Sequence, residues 1–400
     1  MTAGLPGARR DEDAYGPYAQ AVEATARALA ATAAGRDRAG GSAMAERQLL
    51  RDSGLLTLAV PRAHGGQEAP WPLILRIVRR FAQADSSLAH LFGFQHLQVA
   101  SIVLYGSPGQ QARYLGATVE QGWFWGNAVN SRDTRLRAAD DGRGGYVLDG
   151  AKGFCSGARG SDALIVSASV GQDGRLFAVV PTSRQGVTVH DDWDNMGQRQ
   201  TDSGTVSFER VALAAGEVLG PPGPDSSPRA TLRNLIGQLV LTEIYLGNAL
   251  GALRAAVDYV RERARPWPMA GVAQARDDGL LQMRAGELWV QWQGAAALAD
   301  AALQSYQRAW DAGAALTADA RGALSLEIAA ARVHAGRSAL HITAQVFELM
   351  GASATARRHG FDRYWRNVRV HTLHDPLDYR QQAIGRWLFT GELPDPRGYG

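Results

Sequence analysis

The sequence contains one cysteine, Cys155, in 400 residues. No disulfide can form within the chain, and a single thiol is typical of proteins that work in a reducing compartment. The segment from Met1 to Tyr18 carries charged residues where a secretory signal would need an apolar core. These two features predict a cytoplasmic protein.

The chain also lacks an excess of charge of either sign. Its 42 Lys and Arg residues are balanced by 39 Asp and Glu residues, which leaves a formal net charge of +3. A charge this small, spread over the whole chain, does not create the basic field that binds nucleic acid. Almost every cation is arginine, with Lys152 as the exception. We predict no nucleic-acid partner.

An uninterrupted hydrophobic run is missing as well. The most apolar long stretch, from Asn234 to Leu253, contains Gln238, Thr242 and Glu243. Polar residues at these positions favour a helix buried in protein over a helix in lipid. We therefore predict that the chain has no membrane partner.

Three motifs that would assign a common activity are absent. No GxGxxG follows a strand, no GxxxxGK[ST] occurs, and there is no GxSxG. The sequence therefore shows no Rossmann dinucleotide site, no P-loop and no nucleophile elbow. Cys155 has no activating arrangement in the sequence, and we expect it to be a small buried apolar residue.

The period of the hydrophobic pattern changes twice along the chain. Helical spacing continues to about residue 120, and short β-rich runs separated by Gly and Asp follow it. A proline-rich segment at 221–228 marks a linker. Further helical patterns cover 229–263, 274–312, 317–350 and a shorter stretch near 377–389.

These patterns predict an α+β, mainly α fold in three parts. We expect an N-terminal helical domain (1–121), a small central β-barrel or sandwich (122–226) and a C-terminal four-helix bundle (227–400). Several faces of the last part are rich in Ala and Leu, and such faces need neighbours beyond their own bundle. We therefore expect a homo-oligomer, either a dimer or a tetramer.

The most concentrated ionisable feature is the pair His371 and His374. With a spacing of three, the two could lie on one helical face as metal ligands, but no further ligand cluster accompanies them. We predict no metal. Two interpretations remain open: histidines satisfied by hydrogen bonds at a turn between helices, and catalytic hydrogen-bonding groups.

Three further clusters offer groups for a ligand. Asn127 and Asn130 carry amides suited to the edge of a planar heterocycle, although asparagines at this place also form turns. Ser156 supplies a hydroxyl among small residues, in a segment that either admits a ring close to the backbone or forms a tight hairpin. Trp193 precedes a polar loop that continues to Gly204.

The order of the three parts, together with four local segments, resembles the acyl-CoA dehydrogenase superfamily of flavoproteins. The segments look like those of its flavin-dependent monooxygenase branch, which includes the dibenzothiophene and sulfone monooxygenases. They are FCSGA (154–158), DDWDNMGQRQTDSGT (191–205), RPWPMAG (265–271) and HTLHDP (371–376).

This resemblance implies an activity. Dehydrogenases of the fold usually carry a catalytic glutamate followed by glycine near the position of Asp375 and Pro376, and that glutamate is missing here. The monooxygenases use reduced FMN, with FAD as a possible substitute, and O2 to oxygenate a small apolar substrate through a C4a-(hydro)peroxyflavin. An organosulfur substrate is the favoured class. Because no nicotinamide motif is present, the partner would be a separate NAD(P)H:flavin reductase.

The resemblance also implies roles for individual residues. His374 and Ser156 would face the activated oxygen, with His371 in support and His90 on the facing helix. The relatives carry a tyrosine where Phe94 stands, so a phenolic hydrogen bond is lost. The expected cofactor-binding residues are Phe94, Asn127, Asn130, Ser156, Trp193, Ser203, Arg265 (near the phosphate) and Ser353 (from a neighbouring subunit).

Three alternatives stay open at this point. The first is an acyl-CoA dehydrogenase-like FAD enzyme that uses Asp375 as its base. The second is an amine or amino-sugar N-hydroxylase of the same fold. The third is a scaffold that keeps the fold without catalysis.

Overall fold

A computed structural model describes residues 15–172 and 174–396. The first part of the chain is helical, and its longest buried helix, α4 (Ser86–Tyr105), is capped by Asp85, whose carboxylate accepts hydrogen bonds from the backbone N–H groups of Ser87 and Leu88. Ser107 and Gln110 form a capping box at the start of the next helix. These helices are α1 (Ala19–Ala39), α2 (Met44–Asp52), α3 (Trp71–Ala84), α4 (Ser86–Tyr105) and α5 (Pro108–Glu120).

The central part is one curled sheet. Its strands follow the order β1-β4-β2-β3-β7-β6, with β5 paired to β4; β1 and β4 are parallel, and β4 and β5 are antiparallel. Leu148, Val166 and Phe208 belong to a hydrophobic core that this sheet buries. The strands are β1 (Trp125–Ala128), β2 (Arg137–Asp140), β3 (Tyr146–Lys152), β4 (Ala163–Val170), β5 (Gly174–Pro181), β6 (Val187–Val189) and β7 (Val206–Leu213).

The last part is again helical. Three long helices pack together, and the first of them, α6 (Leu232–Glu262), also packs against α3 and α4, so that one hydrophobic core continues through all three parts of the chain. The helices are α6 (Leu232–Glu262), α7 (Gly279–Asp311), α8 (Ala318–Met350), α9 (Asp362–Thr372) and α10 (Leu377–Thr390). The predicted fold is confirmed, while the boundaries at 121/122 and 226/227 stay predictions.

Helices α4 and α6 are long and apolar enough to cross a membrane by length and composition. However, 94% of the most apolar window of each is buried inside the protein. Core helices of soluble proteins pass the same test, because a helix surrounded by protein is apolar on every side. The polar residues Gln238, Thr242 and Glu243 of α6 are buried among these neighbours.

Candidate active site

One face of α4 carries a row of site residues. His90, Phe94 and Gln98 are spaced by four, so they lie above one another along about 12 Å of the helix. The His90 ring stacks on Phe94, with ring centroids 4.0 Å apart and an interplanar angle of 20°. Both side chains are buried.

The C-terminal part places two more imidazoles beside His90. His371, in the last turn of α9, has its ring centroid 4.9 Å from that of His90. The Tyr245 hydroxyl donates to the His371 carbonyl at 3.0 Å, and the backbone N–H of His374 donates to the same oxygen at 3.2 Å. The structure therefore brings together histidines that are about 280 residues apart in the sequence.

These histidines are neutral at physiological pH. Burial lowers the pKa of His90 to about 3, with a smaller contribution from His374. Burial also lowers the pKa of His371 well below its usual value, assisted by His90. Desolvation lowers the pKa of His374, and the charge of Arg332 lowers it further, although the His374 side chain is exposed. Each ring thus offers one N–H donor and one nitrogen acceptor.

Three ring nitrogens of this cluster are buried without a hydrogen-bond partner in the part of the chain that the structure describes. They are both nitrogens of His90 and Nδ1 of His371. Buried polar atoms are normally hydrogen-bonded, so unpaired buried nitrogens indicate a missing ligand or water. Within residues 15–172 and 174–396, no group of three or more His, Cys, Asp or Glu residues could hold a metal ion.

Asp375 follows the histidines but is not a free carboxylate. Its Oδ2 accepts from Arg332 Nη1 at 2.7 Å and from Arg380 Nε at 2.8 Å. Burial alone would raise the pKa of Asp375, but the two guanidinium groups outweigh it and the pKa is lowered. Asp375 is therefore an ionised, paired group.

Hydroxyl groups from two segments of the central part form a hydrogen-bonded chain. The Ser156 and Ser203 hydroxyls share a hydrogen bond of 2.7 Å, and Ser203 shares another of 2.7 Å with Thr201. The backbone N–H of Asn127 donates to the Ser156 carbonyl at 2.9 Å, which joins β1 to the segment that carries Ser156. Cys155, next to Ser156, is fully buried, and burial raises the pKa of its thiol to about 12.

The loop from Trp193 to Gly204 is tied to both helical parts. Trp193 Nε1 donates to the Gln198 carbonyl at 2.9 Å, and the Trp193 ring meets Phe154 edge-on at 6.1 Å. Gln198 Nε2 donates to Ser86 Oγ at 2.6 Å, at the start of α4. The Gln198 backbone N–H donates to Asn367 Oδ1 of α9 at 2.7 Å. The loop therefore joins the N-terminal and C-terminal helical parts of the fold.

Three predicted site residues have other surroundings. Asn130 forms a turn, since its Oδ1 accepts from the Arg132 backbone N–H at 3.2 Å. Arg265 is exposed in the loop after α6, and Ser353 is exposed after α8, where it accepts from Tyr259 at 3.1 Å. No contact described for residues 15–172 and 174–396 joins Arg265 or Ser353 to the histidines. Their predicted roles stay predictions.

Lys152 is a site-supporting residue that sequence reasoning missed. It is 2% exposed, and its ammonium donates to the carbonyl groups of Asn130, at 2.9 Å, and of Asp133. Burial lowers the pKa of Lys152 to about 8. The turn that it holds carries Arg132, which lies 4.0 Å from Asp375. The feature of the sequence that could have identified Lys152 is that it is the one lysine of the chain.

Comparison with known families accounts for this arrangement. Residues 18–121 match the N-terminal domain of acyl-CoA dehydrogenase, residues 122–211 the middle domain and residues 239–379 the C-terminal domain. The chain belongs to the acyl-CoA dehydrogenase family.

The curated relatives of this acyl-CoA dehydrogenase family member include monooxygenases. It is 44% identical to a probable FMNH2-dependent monooxygenase, SfnC, of Pseudomonas putida, over 93% of this chain and 94% of the relative. It is 45% identical to the dibenzothiophene monooxygenase of Rhodococcus erythropolis, again over 93% of this chain and 94% of the relative. The predicted monooxygenase branch of the family is confirmed.

Solved structures agree with this placement. The methanesulfinate monooxygenase MsuC of Pseudomonas fluorescens superimposes with a TM-score of 0.94 at 44% identity, over 96% of this chain and 99% of that one. FMN-bound TdsC of Paenibacillus sp. A11-2 gives a TM-score of 0.91 at 38% identity, over 98% and 100% of the two chains. The acyl-CoA dehydrogenase fold of this chain is thus that of flavin-dependent monooxygenases.

Proposed function

We propose that the protein is a two-component monooxygenase that uses reduced FMN to transfer one oxygen atom from O2 to the sulfur of a small organosulfur compound. The observation that carries the proposal is the cluster of neutral imidazoles at His90, His371 and His374, of which the first two are buried, next to an Asp375 carboxylate that two arginines hold. Similarity to an FMNH2-dependent monooxygenase and to an FMN-bound structure supports FMN over FAD.

The residues present fit a flavin ring. The orphaned nitrogens of His90 and His371 lie at one end of the α4 face, and the hydroxyl chain and Asn127 belong to other walls. Asn127 and Ser156 would hold the ring edge, and Trp193 would pack against the ring system. Bound reduced FMN supplies the electrons that activate dioxygen.

The chain's own residues protect and direct that chemistry. A neutral imidazole at His374 can donate an N–H to a developing oxygen anion and hold the proton there without carrying a fixed charge. Burial of His90 and His371 keeps water away from the reacting atoms, which prevents loss of the activated oxygen as hydrogen peroxide. The Ser156 hydroxyl provides a second donor.

Asp375 argues against dehydrogenase chemistry. A base that removes a substrate's α-proton needs an oxygen atom that faces the substrate and a pKa near the working pH. Both conditions fail at Asp375, because Arg332 and Arg380 hold its carboxylate and lower its pKa. The oxygenase interpretation does not need this carboxylate as a base.

The partners follow from what the site requires. Reduced flavin comes from a separate NAD(P)H:flavin reductase, since the sequence carries no dinucleotide motif. Catalysis takes place in the cytoplasm, where the single thiol stays reduced.

A second copy of the chain covers exposed apolar residues of the C-terminal part, and the assembly is a tetramer. Val290 is 69% exposed and Met283 63% exposed on α7, while Phe389 is 93% exposed on α10. Apolar side chains presented in this way mark association surfaces. A neighbouring subunit also brings Ser353 to the flavin, and Arg265 binds the flavin phosphate. Light scattering of the purified protein measures the assembly, and a monomer at micromolar concentration contradicts it.

The experiment that tests the activity measures coupling. Chemically reduced FMN, O2 and the protein are mixed with a panel of sulfides, sulfoxides, sulfones and sulfinates, and product formed is compared with hydrogen peroxide released. We expect one oxygenated sulfur product per O2 for at least one class. Oxygenation of amines alone would assign the N-hydroxylase alternative instead. Bleaching of bound FAD by an acyl-CoA would assign the dehydrogenase.

A further inference from the structure

A series of buried polar side chains leads from Arg233 to Asn127. Arg233, in the first turn of α6, donates from Nε to Ser101 Oγ at 2.8 Å, and its Nη2 lies 3.4 Å from Gln98 Oε1. Gln98 Nε2 in turn donates to Asn127 Oδ1 at 2.8 Å. All four side chains are buried. The series therefore crosses from α6 through α4 to β1.

Arg233 sets the direction of the hydrogen bonds in this series. A guanidinium group only donates, so the oxygen of the Gln98 amide must face Arg233 and its NH2 group must face Asn127. Asn127 must then turn its oxygen toward Gln98. If the Gln98 amide were reversed, its NH2 group would face the Arg233 guanidinium. Two buried donors would then face each other without an acceptor, which is costly. The NH2 group of Asn127 is left for an acceptor on the side away from α4.

We infer that Arg233 and Gln98 are positioning residues that hold the Asn127 amide with its NH2 group toward the cleft. This wall therefore binds a hydrogen-bond acceptor, such as a carbonyl oxygen on the edge of the flavin ring, and rejects a donor. Gln98 lies two helical turns from His90 on the same face of α4. The Asn127 amide that Gln98 holds and the histidines therefore contact opposite ends of one ligand. The identity of that ligand rests on the proposed function.

Gln98→Glu tests the inference. The introduced carboxylate still accepts from Arg233 but cannot donate to Asn127, so the Asn127 amide must rotate and present its oxygen to the cleft. We expect the dissociation constant of oxidised FMN, measured by fluorescence quenching, to rise about tenfold. Gln98→Met removes the donor without adding an acceptor, and we expect a smaller rise.

The matched control is Gln95→Glu on the same helix. The Gln95 amide bonds the backbone, accepting from the Trp125 N–H at 2.8 Å and donating to the Trp123 carbonyl at 3.0 Å. The same chemical change at this buried position should lower the free energy of unfolding without changing the FMN dissociation constant of the folded protein. Urea unfolding of each variant separates stability from affinity.

A double-mutant cycle shows whether Gln98 acts through Asn127. In an Asn127→Ala background, Gln98→Glu should leave FMN affinity unchanged, because the group that it turns is gone. An equal loss of affinity in both backgrounds would overturn the inference.

Failure of this inference, that Arg233 and Gln98 orient the Asn127 amide, can be distinguished from failure of the proposed function. If wild-type protein does not bind FMN, the proposed function fails, and the amide orientation is then determined from a high-resolution crystal structure of the flavin-free protein. Hydrogen-bond acceptors around the Asn127 amide atom that points away from Gln98 support the inference, and hydrogen-bond donors there overturn it. If FMN binds but Gln98→Glu does not change its dissociation constant, the inference about Arg233 and Gln98 fails and the proposed function stands.

Discussion

The Arg332 guanidinium and the Asp375 carboxylate form a buried ion pair, with Nη1 2.7 Å from Oδ2 and both side chains almost fully excluded from solvent. Arg332 also donates from Nη2 to the Asp375 carbonyl at 3.1 Å. The residue immediately before Asp375 is His374. The ion pair therefore fixes the backbone that carries the exposed His374 side chain.

Breaking this pair should destabilise the fold. Asp375→Asn leaves the Arg332 charge buried without its counter-ion, and we expect the free energy of unfolding to fall by about 3–5 kcal/mol. Urea unfolding measures the change. The control is Asp378→Asn, which removes the exposed pair of Arg337 and Asp378 at 3.6 Å; no measurable change is expected there. Equal effects at the two sites would contradict a structural role for the buried pair.

Loss of His374 should uncouple oxygen consumption from product formation. His374→Ala removes an exposed donor while the buried packing around it stays intact. We expect near wild-type folding and FMN affinity, with most O2 released as hydrogen peroxide. Peroxide and oxygenated product are quantified in the same reaction. His341→Ala, at an exposed position of α8, should stay coupled, and unchanged coupling in the His374 variant would remove that residue from the mechanism.

Acid should destabilise the protein through its buried histidines. Burial lowers the pKa of His96, in α4, to about 3, and that of His90 to about 3. Below pH 6.5 the unfolded chain binds protons that the folded chain does not, so this stability is complete above pH 6.5 and is lost as pH falls toward 3. Each such histidine contributes a slope of about 1.4 kcal/mol per pH unit.

Urea unfolding between pH 4.5 and pH 7 measures this slope. His96→Leu should reduce it by the contribution of one histidine, because the substituted residue takes up no proton on unfolding. His341→Leu, at an exposed site, should leave it unchanged. An unaltered slope in the His96 variant would show that this imidazole is already protonated in the folded state.

Arg265 should contribute to affinity through the flavin phosphate. If its guanidinium makes a charge-assisted contact in the assembled protein, Arg265→Ala weakens FMN binding by about 1.5–3 kcal/mol. Riboflavin, which lacks the phosphate, provides the control ligand, and its affinity should not change. Arg263→Ala tests an exposed neighbour in the same segment. A parallel loss of riboflavin affinity would assign Arg265 to a different contact.

Local sequence patterns predicted the long helices of this protein better than its short elements and its long-range contacts. The helices near 229–263 and 317–350 carry apolar residues at helical spacing over many turns, and α6 and α8 lie there. Helix α9 was missed because it is short and rich in Arg, although Tyr364 and Val368 are buried on one face of it. Its omission hid the element that positions His371.

The candidate site shows the same division. His371 and His374 stand out as a pair in the sequence, but their meeting with His90 depends on tertiary packing, and the link came from family resemblance. The contacts of Arg332 with Asp375 and of Gln98 with Asn127 join residues far apart in the chain. No spacing rule identifies such partners, because each depends on how separate helices and strands of the fold pack together.

Lys152 has a consequence beyond the turn that it holds. It is the one lysine of the chain, and it lies 2% exposed beneath a loop. The folded protein therefore presents almost no lysine side chain to acetylating or ubiquitin-transferring enzymes, or to amine-reactive dyes and cross-linkers. Labelling of an ε-amine would report that this loop has opened.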